Sequence, residues 1–99
     1  MAEPKLIVIV RFKSTLSYDE VLRVANERAD DFRALTGLVQ KYYFQDTATG
    51  EYGGAYVWAS EEAFAEYRQS ALRASIADAY KVEGQPRLDV LKVMMPLRA

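Results

Sequence analysis

The stretch that decides the fold is residues 36–58, TGLVQKYYFQDTATGEYGGAYVW. Its pattern predicts two strands joined by the polar turn 46–50, because apolar and aromatic residues flank a run of turn-forming residues. The stretch holds four of the seven Tyr, the single Trp, two adjacent glycines and Lys41 in mid-strand. A solvated hairpin does not need so many large rings, and a core strand rarely carries a Lys at its centre. We therefore expect an apolar partner on this hairpin: a helix layer, a second subunit, a flat ligand, or several of these.

The rest of the chain supplies two more strands and the helices that connect them. Residues 5–13 are dominated by Ile and Val and predict a strand buried on both faces. Ser17 and Glu20 form a capping-box pattern at the start of an amphipathic helix, which Gly37 ends. The other predicted elements are strands at 38–45, 51–59 and 87–95, a helix capped by Ser60, and a short helix carrying Leu72, Ile76 and Ala79 before a break at 84–86.

The order β-α-β-β-α-β predicts an α+β fold, the ferredoxin-like sandwich. Right-handed crossovers place both helices on one face of a four-stranded antiparallel sheet. The other sheet face stays uncovered, although the first and third strands are apolar on both sides. We therefore expect two sheets to pack face to face in a homodimer.

The sheet face on which Lys41 lies depends on the register of the two hairpin strands. If Gln45 lies opposite Glu51, strand alternation puts Lys41 and Tyr43 on the face that carries Gly53 and Ala55. Small residues beside a Lys and a Tyr would leave open volume there. A change of one residue in the pairing would reverse this assignment.

Composition bounds the function classes. The 99 residues predict one domain, 1–99, and a net charge of −1 from 13 basic and 14 acidic residues argues against a nucleic-acid binder. Without Cys or His the chain has no thiolate nucleophile, no imidazole base and no common zinc or haem ligand. The longest apolar run, 6–10, is too short to span a bilayer, and no signal-peptide pattern is present, so we expect a cytoplasmic protein without a membrane partner.

Lys41 is the first candidate for a functional residue. A desolvated Lys has a lowered pKa and can act as a base or as the counter-ion of a phenolate. The alternative is a side chain that reaches solvent or pairs with an acidic neighbour, including one from a partner chain. Tyr43 lies beside Lys41 by strand alternation and shares both interpretations.

Further candidates lie on the third strand and the second helix. Tyr56 and Trp58 can stack on an aromatic substrate and donate hydrogen bonds to it, or can be core rings beneath the helices. Arg68 and Arg73 can receive an anionic substrate at the mouth of a pocket, although solvated helix charges are the more common explanation of such residues.

Two pairs of identical neighbours have simpler explanations. Gly53-Gly54 lies within a strand and indicates a bulge or a close approach of backbone rather than a nucleotide site. Met94-Met95 indicates packing in the core or at an interface.

The hairpin resembles the YdhR-like family of monooxygenases. The residues that carry the resemblance are Gly37-Leu38, Lys41 two positions after Val39, and the strand Gly53-Gly54-Ala55-Tyr56-Val57-Trp58; residues 60–67, SEEAFAEY, are similar to the second helix of that family. Relatives often carry a His in the second-helix region, where this chain has Tyr67-Arg68-Gln69-Ser70, so no role of that His is transferred.

The resemblance implies a dimeric α/β barrel, in which two sheets meet and each subunit holds a pocket between sheet and helices. It implies oxidation of polycyclic phenols to quinones by O₂ without a metal, a flavin or any other cofactor. On this basis we predict Lys41, Tyr43 and Tyr56 as catalytic residues. Trp58, Tyr67 and Arg68 are the predicted contacts to a small aromatic substrate.

Three functions follow from the sequence. The first is a cofactor-independent monooxygenase acting on a small aromatic or polyphenolic molecule, and the second is a small-molecule binding module on the same scaffold. The third is an interaction domain whose rings serve only the core and the dimer. A filled interior near Lys41 would favour the third, whereas an open apolar cavity would count against it.

Overall fold

The computed structural model describes residues 3–98. Its elements are β1 (Leu6–Ser14), α1 (Tyr18–Arg33), β2 (Leu38–Gln45), β3 (Tyr52–Trp58), α2 (Glu61–Arg68), α3 (Ala71–Ala74), α4 (Ile76–Ala79) and β4 (Val82–Lys92). The strands form one antiparallel sheet in the order β2-β3-β1-β4. The predicted ferredoxin-like α+β fold is therefore confirmed. No helix within residues 3–98 is long and apolar enough to cross a membrane.

The helix termini follow the expected signals. Ser17 and Glu20 form both hydrogen bonds of the capping box at the start of α1. Gly37 takes a positive φ of 89° after α1, a backbone conformation that side chains disfavour. The predicted short helix after Gln69 is two single turns, α3 and α4, whose N-cap residues are Ser70 and Ser75.

Two clusters of buried side chains fill the space between sheet and helices. The larger consists of Leu6, Val8, Phe32, Tyr56, Trp58, Phe64 and Tyr67, and the smaller of Phe12, Val24, Tyr52 and Tyr80. Ile76 of α4 packs against both clusters. Along β1 the buried residues are Leu6, Val8 and Phe12, so the helix-covered face of the sheet is the one that carries Tyr56 and Trp58.

The hairpin pairs one residue away from the expected register. Gln45 lies opposite Tyr52, and Asp46 is the residue that bonds to Glu51, through a backbone hydrogen bond of 2.7 Å. Strand alternation then places Lys41 on the face of Tyr56, its direct partner across the ladder. The predicted placement of Lys41 and Tyr43 beside Gly53 and Ala55 is therefore wrong.

Asp46 is the physical reason for this register. Its carboxylate accepts hydrogen bonds from the N–H groups of Ala48 and Thr49, at 2.8 and 3.2 Å, which closes a turn one residue shorter than expected. The same carboxylate forms an ion pair with Arg11 of β1 at 2.8 Å. These backbone hydrogen bonds, more than Arg11, lower the pKa of Asp46.

The last strand begins earlier than predicted. Residues 84–86, expected to precede it, lie inside β4, which starts at Val82. The pairing with β1 shifts between Arg11 and Lys13, so these three residues form a bulge. β4 is an edge strand, and Gly84 with a φ of 69° and Pro86 are tolerated there.

The sheet face away from the helices is uncovered and carries an apolar patch. Ile7, Ile9 and Val57 are half-buried on it, and Tyr42 and Leu91 are exposed. Beyond β4, Met94 and Met95 are 98% and 74% exposed, so the core packing considered for them is wrong.

Candidate functional site

An apolar cavity of about 300 Å³ lies between the sheet and α2–α4. Its sheet-side wall includes Val8, Val10, Tyr52, Gly54 and Tyr56, and its helix-side wall includes Phe64, Tyr67, Ile76 and Tyr80. Residues of both core clusters line the wall, so the cavity borders both clusters. The charged residues on the wall are Lys41, Arg68 and Arg73.

Gly54 provides the space for this cavity. It lies on the helix-facing side of β3 between Tyr52 and Tyr56, where it contributes no side chain. A Cβ at this position would lie 3.1 Å from Cε of Lys41 and 3.0 Å from the ring of Tyr56. The predicted close approach at Gly53-Gly54 is confirmed, since a Cβ on Gly53 would collide with the carbonyl oxygen of Val10.

Lys41 reaches from β2 into a set of three rings, which we call the aromatic cage: Phe32, Tyr43 and Tyr56. Its Nζ lies 3.5 Å from the ring centroid of Phe32, 4.2 Å from that of Tyr43 and 4.5 Å from that of Tyr56. No ion pair among residues 3–98 includes Lys41, so the acidic partner considered for it is not found there.

The electrostatics of the site favour a neutral amine on Lys41. Burial, and secondly the positive charge of Arg28, lower the pKa of Lys41 to about 7. The faces of the cage rings attract an ammonium group and oppose part of this effect. At neutral pH the two protonation states of Lys41 are therefore both populated, as an acid–base group requires.

Tyr56 and Tyr67 form a buried hydroxyl pair on the cavity wall. Their oxygen atoms lie 3.3 Å apart, joining β3 to α2. Burial is the main cause that raises the pKa of both phenols above the usual 10.0. Both side chains therefore remain neutral hydrogen-bond donors throughout the physiological range.

Three further tyrosines line the cavity: Tyr43, Tyr52 and Tyr80. Tyr43, one of the cage rings, is 40% exposed, and burial raises the pKa of its phenol. Tyr80 is buried, and its hydroxyl has no hydrogen-bond partner within residues 3–98. Burial raises the pKa of Tyr80 to about 12. A ligand in the cavity could supply the partner that the Tyr80 hydroxyl lacks.

Arg68 and Arg73 lie exposed at the helix-side rim of the cavity. The guanidinium of Arg68 lies 5.4 Å from the ring centroid of Phe64. Neither residue takes part in an ion pair among residues 3–98. Both remain able to meet an anionic group at the mouth.

Trp58 does not line the cavity, although we predicted it as a substrate contact. It is 1% exposed and packs against Tyr56, Phe64 and Tyr67 at centroid distances of 6.2, 6.0 and 5.3 Å. Its position at the end of β3, opposite Leu6 and Leu38, lies deeper in the core than the cavity wall. Of the six predicted site residues, the cavity therefore brings together Lys41, Tyr43, Tyr56, Tyr67 and Arg68.

Sequence reasoning missed Phe32 and Arg28, both on α1. Phe32 lies on the apolar side of the amphipathic helix α1, and nothing in the helix pattern marks it as a partner of Lys41. Arg28 offered a signal, because it falls among Ala25, Ala29 and Phe32 on the inward side of α1. Its guanidinium donates hydrogen bonds to the carbonyl of Leu72 and the hydroxyl of Ser75, at 3.3 and 2.8 Å, and so links α1 to the helices over the cavity.

Solved structures share this fold at low sequence identity. SnoaB from Streptomyces nogalater, a cofactor-independent oxygenase, has a TM-score of 0.75 and 16% identity over 98% of this chain and 100% of its own. A protein from Caulobacter crescentus CB15, described as a "putative antibiotic biosynthesis monooxygenase", has a TM-score of 0.76 and 15% identity over 94% of this chain and 92% of its own. NE2512 from Nitrosomonas europaea, of unknown function, has a TM-score of 0.78 and 13% identity over 97% and 95%. These likenesses show the fold alone.

The sequence comparisons identify the family. No curated protein matches the chain. The family described as "Putative mono-oxygenase ydhR" matches residues 7–84, which include the whole hairpin, the helices over the cavity and the start of β4. The chain therefore belongs to the ydhR family of proposed mono-oxygenases.

Proposed function

We propose that this protein oxidises a small aromatic or polyphenolic substrate with O₂ and without a cofactor. The observation that carries the proposal is the placement of Lys41 on the wall of a ring-lined cavity, with no carboxylate paired to it among residues 3–98. Membership of the ydhR family and the shared fold with a cofactor-independent oxygenase support the same reaction class.

The chemistry begins with removal of a proton from the substrate. The neutral amine of Lys41 takes the phenolic or adjacent C–H proton, and the resulting ammonium group pairs with the substrate anion. The electron-rich anion then reduces O₂. For an anthrone-type methylene, the CH₂ group becomes C=O, one oxygen atom of O₂ enters the product, and the other leaves as water with the two hydrogens.

The neighbouring tyrosines stabilise the anion. Tyr56 and Tyr67 remain protonated, so they can donate hydrogen bonds to an oxyanion that forms beside Lys41. Tyr43 completes the wall next to Lys41, and Arg68 is placed to contact a polar substituent at the mouth. Trp58 then acts indirectly, by supporting the ring of Tyr56 that is stacked on it at an interplanar angle of 3°.

We propose a homodimer as the working assembly, and we expect it in the cytoplasm. The uncovered sheet face carries Ile7, Ile9 and Val57 half-buried and Tyr42 exposed, an apolar surface that solvated sheets usually avoid. A second copy of the same face would cover these residues symmetrically, as two-fold dimers do.

A binding module without turnover is the second candidate, because the same cavity and the unpartnered hydroxyl of Tyr80 suit ligand retention. The open cavity beside Lys41 counts against the third possibility, a domain whose rings serve only packing. Oxygen consumption distinguishes the first two functions.

The test is oxygen uptake with a panel of anthrones and naphthols, in buffer treated with a metal chelator. Wild type should consume O₂ above the protein-free rate, and Lys41→Met should reduce the excess rate about 100-fold or more. Ligand that co-purifies with the protein, combined with no uptake for any substrate, would favour the binding module instead.

A further inference from the structure

Lys41 has surroundings that suit a second kind of chemistry, which does not depend on oxygen. Its Nζ is surrounded by the rings of Phe32, Tyr43 and Tyr56 at 3.5–4.5 Å and is not neutralised by a carboxylate among residues 3–98. Lysines that are desolvated in apolar pockets are the ones that proteins use to form Schiff bases with carbonyl compounds.

Lys41 is also accessible from two sides. It lines the main cavity, and together with Tyr43 it lines a second cavity of about 300 Å³ between β2 and the end of α1. The amine therefore lies between two spaces of ligand size rather than inside closed packing. A small molecule in the main cavity would therefore lie against the Lys41 side chain.

We propose that Lys41 is a covalent capture site for small aromatic aldehydes, which bind in the ring-lined cavity and form an imine with its ε-amine. The aromatic class follows from the wall, where Tyr52, Tyr56, Tyr67 and Tyr80 offer ring surfaces. The small size follows from the cavity volume of about 300 Å³, the lower end of the range for ligand pockets.

The reaction is a condensation without change of oxidation state. The nitrogen lone pair attacks the carbonyl carbon, a C–N bond forms, and the carbonyl electron pair moves to oxygen, which takes up a proton. The nitrogen loses one proton to give the neutral carbinolamine. The C–O bond then breaks as the C=N bond forms, and the departing hydroxyl takes the second nitrogen proton and leaves as water. Amine and aldehyde give imine and water, and hydrolysis reverses the step.

The tyrosine pair supplies hydrogen-bond donors for this step. The hydroxyls of Tyr56 and Tyr67 lie 3.3 Å apart on the same cavity wall and stay protonated. Either can donate a hydrogen bond to the carbonyl oxygen as charge develops on it. Phe32 lacks such a group, so the aldehyde oxygen is expected to point toward the tyrosines.

The surrounding charges set the pH at which capture occurs. The ionisable groups that line the two cavities with Lys41, or face it from α1, are Arg28, Arg33, Tyr43, Tyr52, Tyr56, Tyr67, Arg68, Arg73 and Tyr80. None of these side chains is a carboxylate. Burial and the charge of Arg28 bring the pKa of Lys41 to about 7, so about half of the amine is free at pH 7, against less than about one in a thousand for an ordinary lysine.

The experiment is reductive trapping of benzaldehyde with cyanoborohydride, followed by peptide mapping. The initial rate of labelling at Lys41 is compared with that at Lys13 in the same molecule, since Lys13 is exposed on β1. At pH 7 we expect the rate at Lys41 to exceed that at Lys13 by about tenfold or more, with a midpoint near pH 7. Lys41→Arg should lose this label and Lys13→Arg should keep it.

The proposal fails if benzaldehyde labels Lys41 no faster than Lys13, or if the rate at Lys41 rises only at the pH of an ordinary lysine. It also fails if pyrene-1-carboxaldehyde, which is too large for the cavity, labels Lys41 as fast as benzaldehyde does. These results do not depend on oxygen uptake, so the proposed oxidation can stand or fall separately. The wild-type map alone decides the matter if a variant does not fold.

Discussion

The amine of Lys41 on β2 lies 3.5 Å from the centre of the Phe32 ring on α1. This contact joins the sheet to the first helix, and no carboxylate among residues 3–98 pairs with the amine. Because the ammonium form of Lys41 is desolvated there, it is destabilised, and the amine titrates near neutral pH. The predictions below follow from this contact, from the cavity beside it and from the uncovered sheet face.

Replacing Lys41 should change how the stability of the protein depends on pH. The folded pKa of Lys41 is about 7 and the usual value is 10.5, so the unfolded chain binds this proton more tightly. The free energy of unfolding of wild type should therefore rise between pH 7 and about 9.5, by about 1.4 kcal/mol per pH unit from this group. Lys41→Met should lack this contribution, and urea unfolding at four pH values measures the difference.

The tyrosines set the upper limit of the pH range over which the free energy of unfolding rises. Tyr56, Tyr67 and Tyr80 have raised pKa values when folded, so the unfolded chain loses their protons first and stability falls again above about pH 10. Both proteins should show this fall. Equal slopes for wild type and Lys41→Met between pH 7 and 9.5 would contradict the placement of Lys41.

The Tyr56–Tyr67 hydroxyl pair predicts a non-additive pair of mutations. Either Tyr56→Phe or Tyr67→Phe leaves the other buried hydroxyl without its partner and should cost about 1–3 kcal/mol in unfolding free energy. The double variant should cost less than the sum of the two. Tyr80→Phe is the matched control. The Tyr80 hydroxyl has no hydrogen-bond partner within residues 3–98, so removing it should leave the free energy of unfolding unchanged or higher. Strict additivity in chemical denaturation would contradict the pair.

Filling the space above Gly54 should remove ligand binding. A side chain there starts 3.1 Å from Cε of Lys41 and extends into the cavity, so Gly54→Val should displace Lys41 and reduce the volume. Isothermal titration with a naphthol is expected to show at least about a tenfold loss of affinity, equivalent to 1.4 kcal/mol. Ala65→Val, at an exposed position on α2, should bind as wild type does. Unchanged affinity in Gly54→Val would place the ligand elsewhere.

A charge on the uncovered sheet face should separate the proposed dimer. Tyr42→Glu introduces a carboxylate into the apolar surface, and pairing with a second copy would bury two such charges close together. Sedimentation equilibrium should show wild type as a dimer and Tyr42→Glu as a monomer with unchanged circular dichroism. Tyr18→Glu, at a residue that is 57% exposed on α1, is the matched control and should remain dimeric. A monomeric wild type would contradict the proposed assembly.

The sequence was sufficient for the fold because its local signals agree with the tertiary structure. The capping box at Ser17 and the order of strands and helices predicted the elements within a few residues. The register of the hairpin was not predictable from alternation, since the carboxylate of Asp46 determines where the turn closes. That single-residue shift decides whether Lys41 faces the helices or the uncovered side of the sheet.

The candidate site was predictable in part for a related reason. Lys41 and Tyr56 attract attention as unusual residues on a strand, whereas Phe32 looks like any core residue of an amphipathic helix. Their contact joins positions on α1 and β2 that only the packed structure brings together. Trp58 was predicted as a substrate contact because strand alternation gives the sheet face on which a residue lies, but not whether that part of β3 borders the cavity or the closed core.

The most direct test of the central claim is the fate of labelled oxygen. Anthrone is incubated under ¹⁸O₂ with wild type, Lys41→Met or no protein, in metal-chelated buffer, and the quinone is examined by mass spectrometry. The account predicts one labelled oxygen atom per quinone with wild type, formed about 100-fold faster than with Lys41→Met. Equal rates for the two proteins, or a wild-type rate no higher than that of anthrone alone, would contradict it.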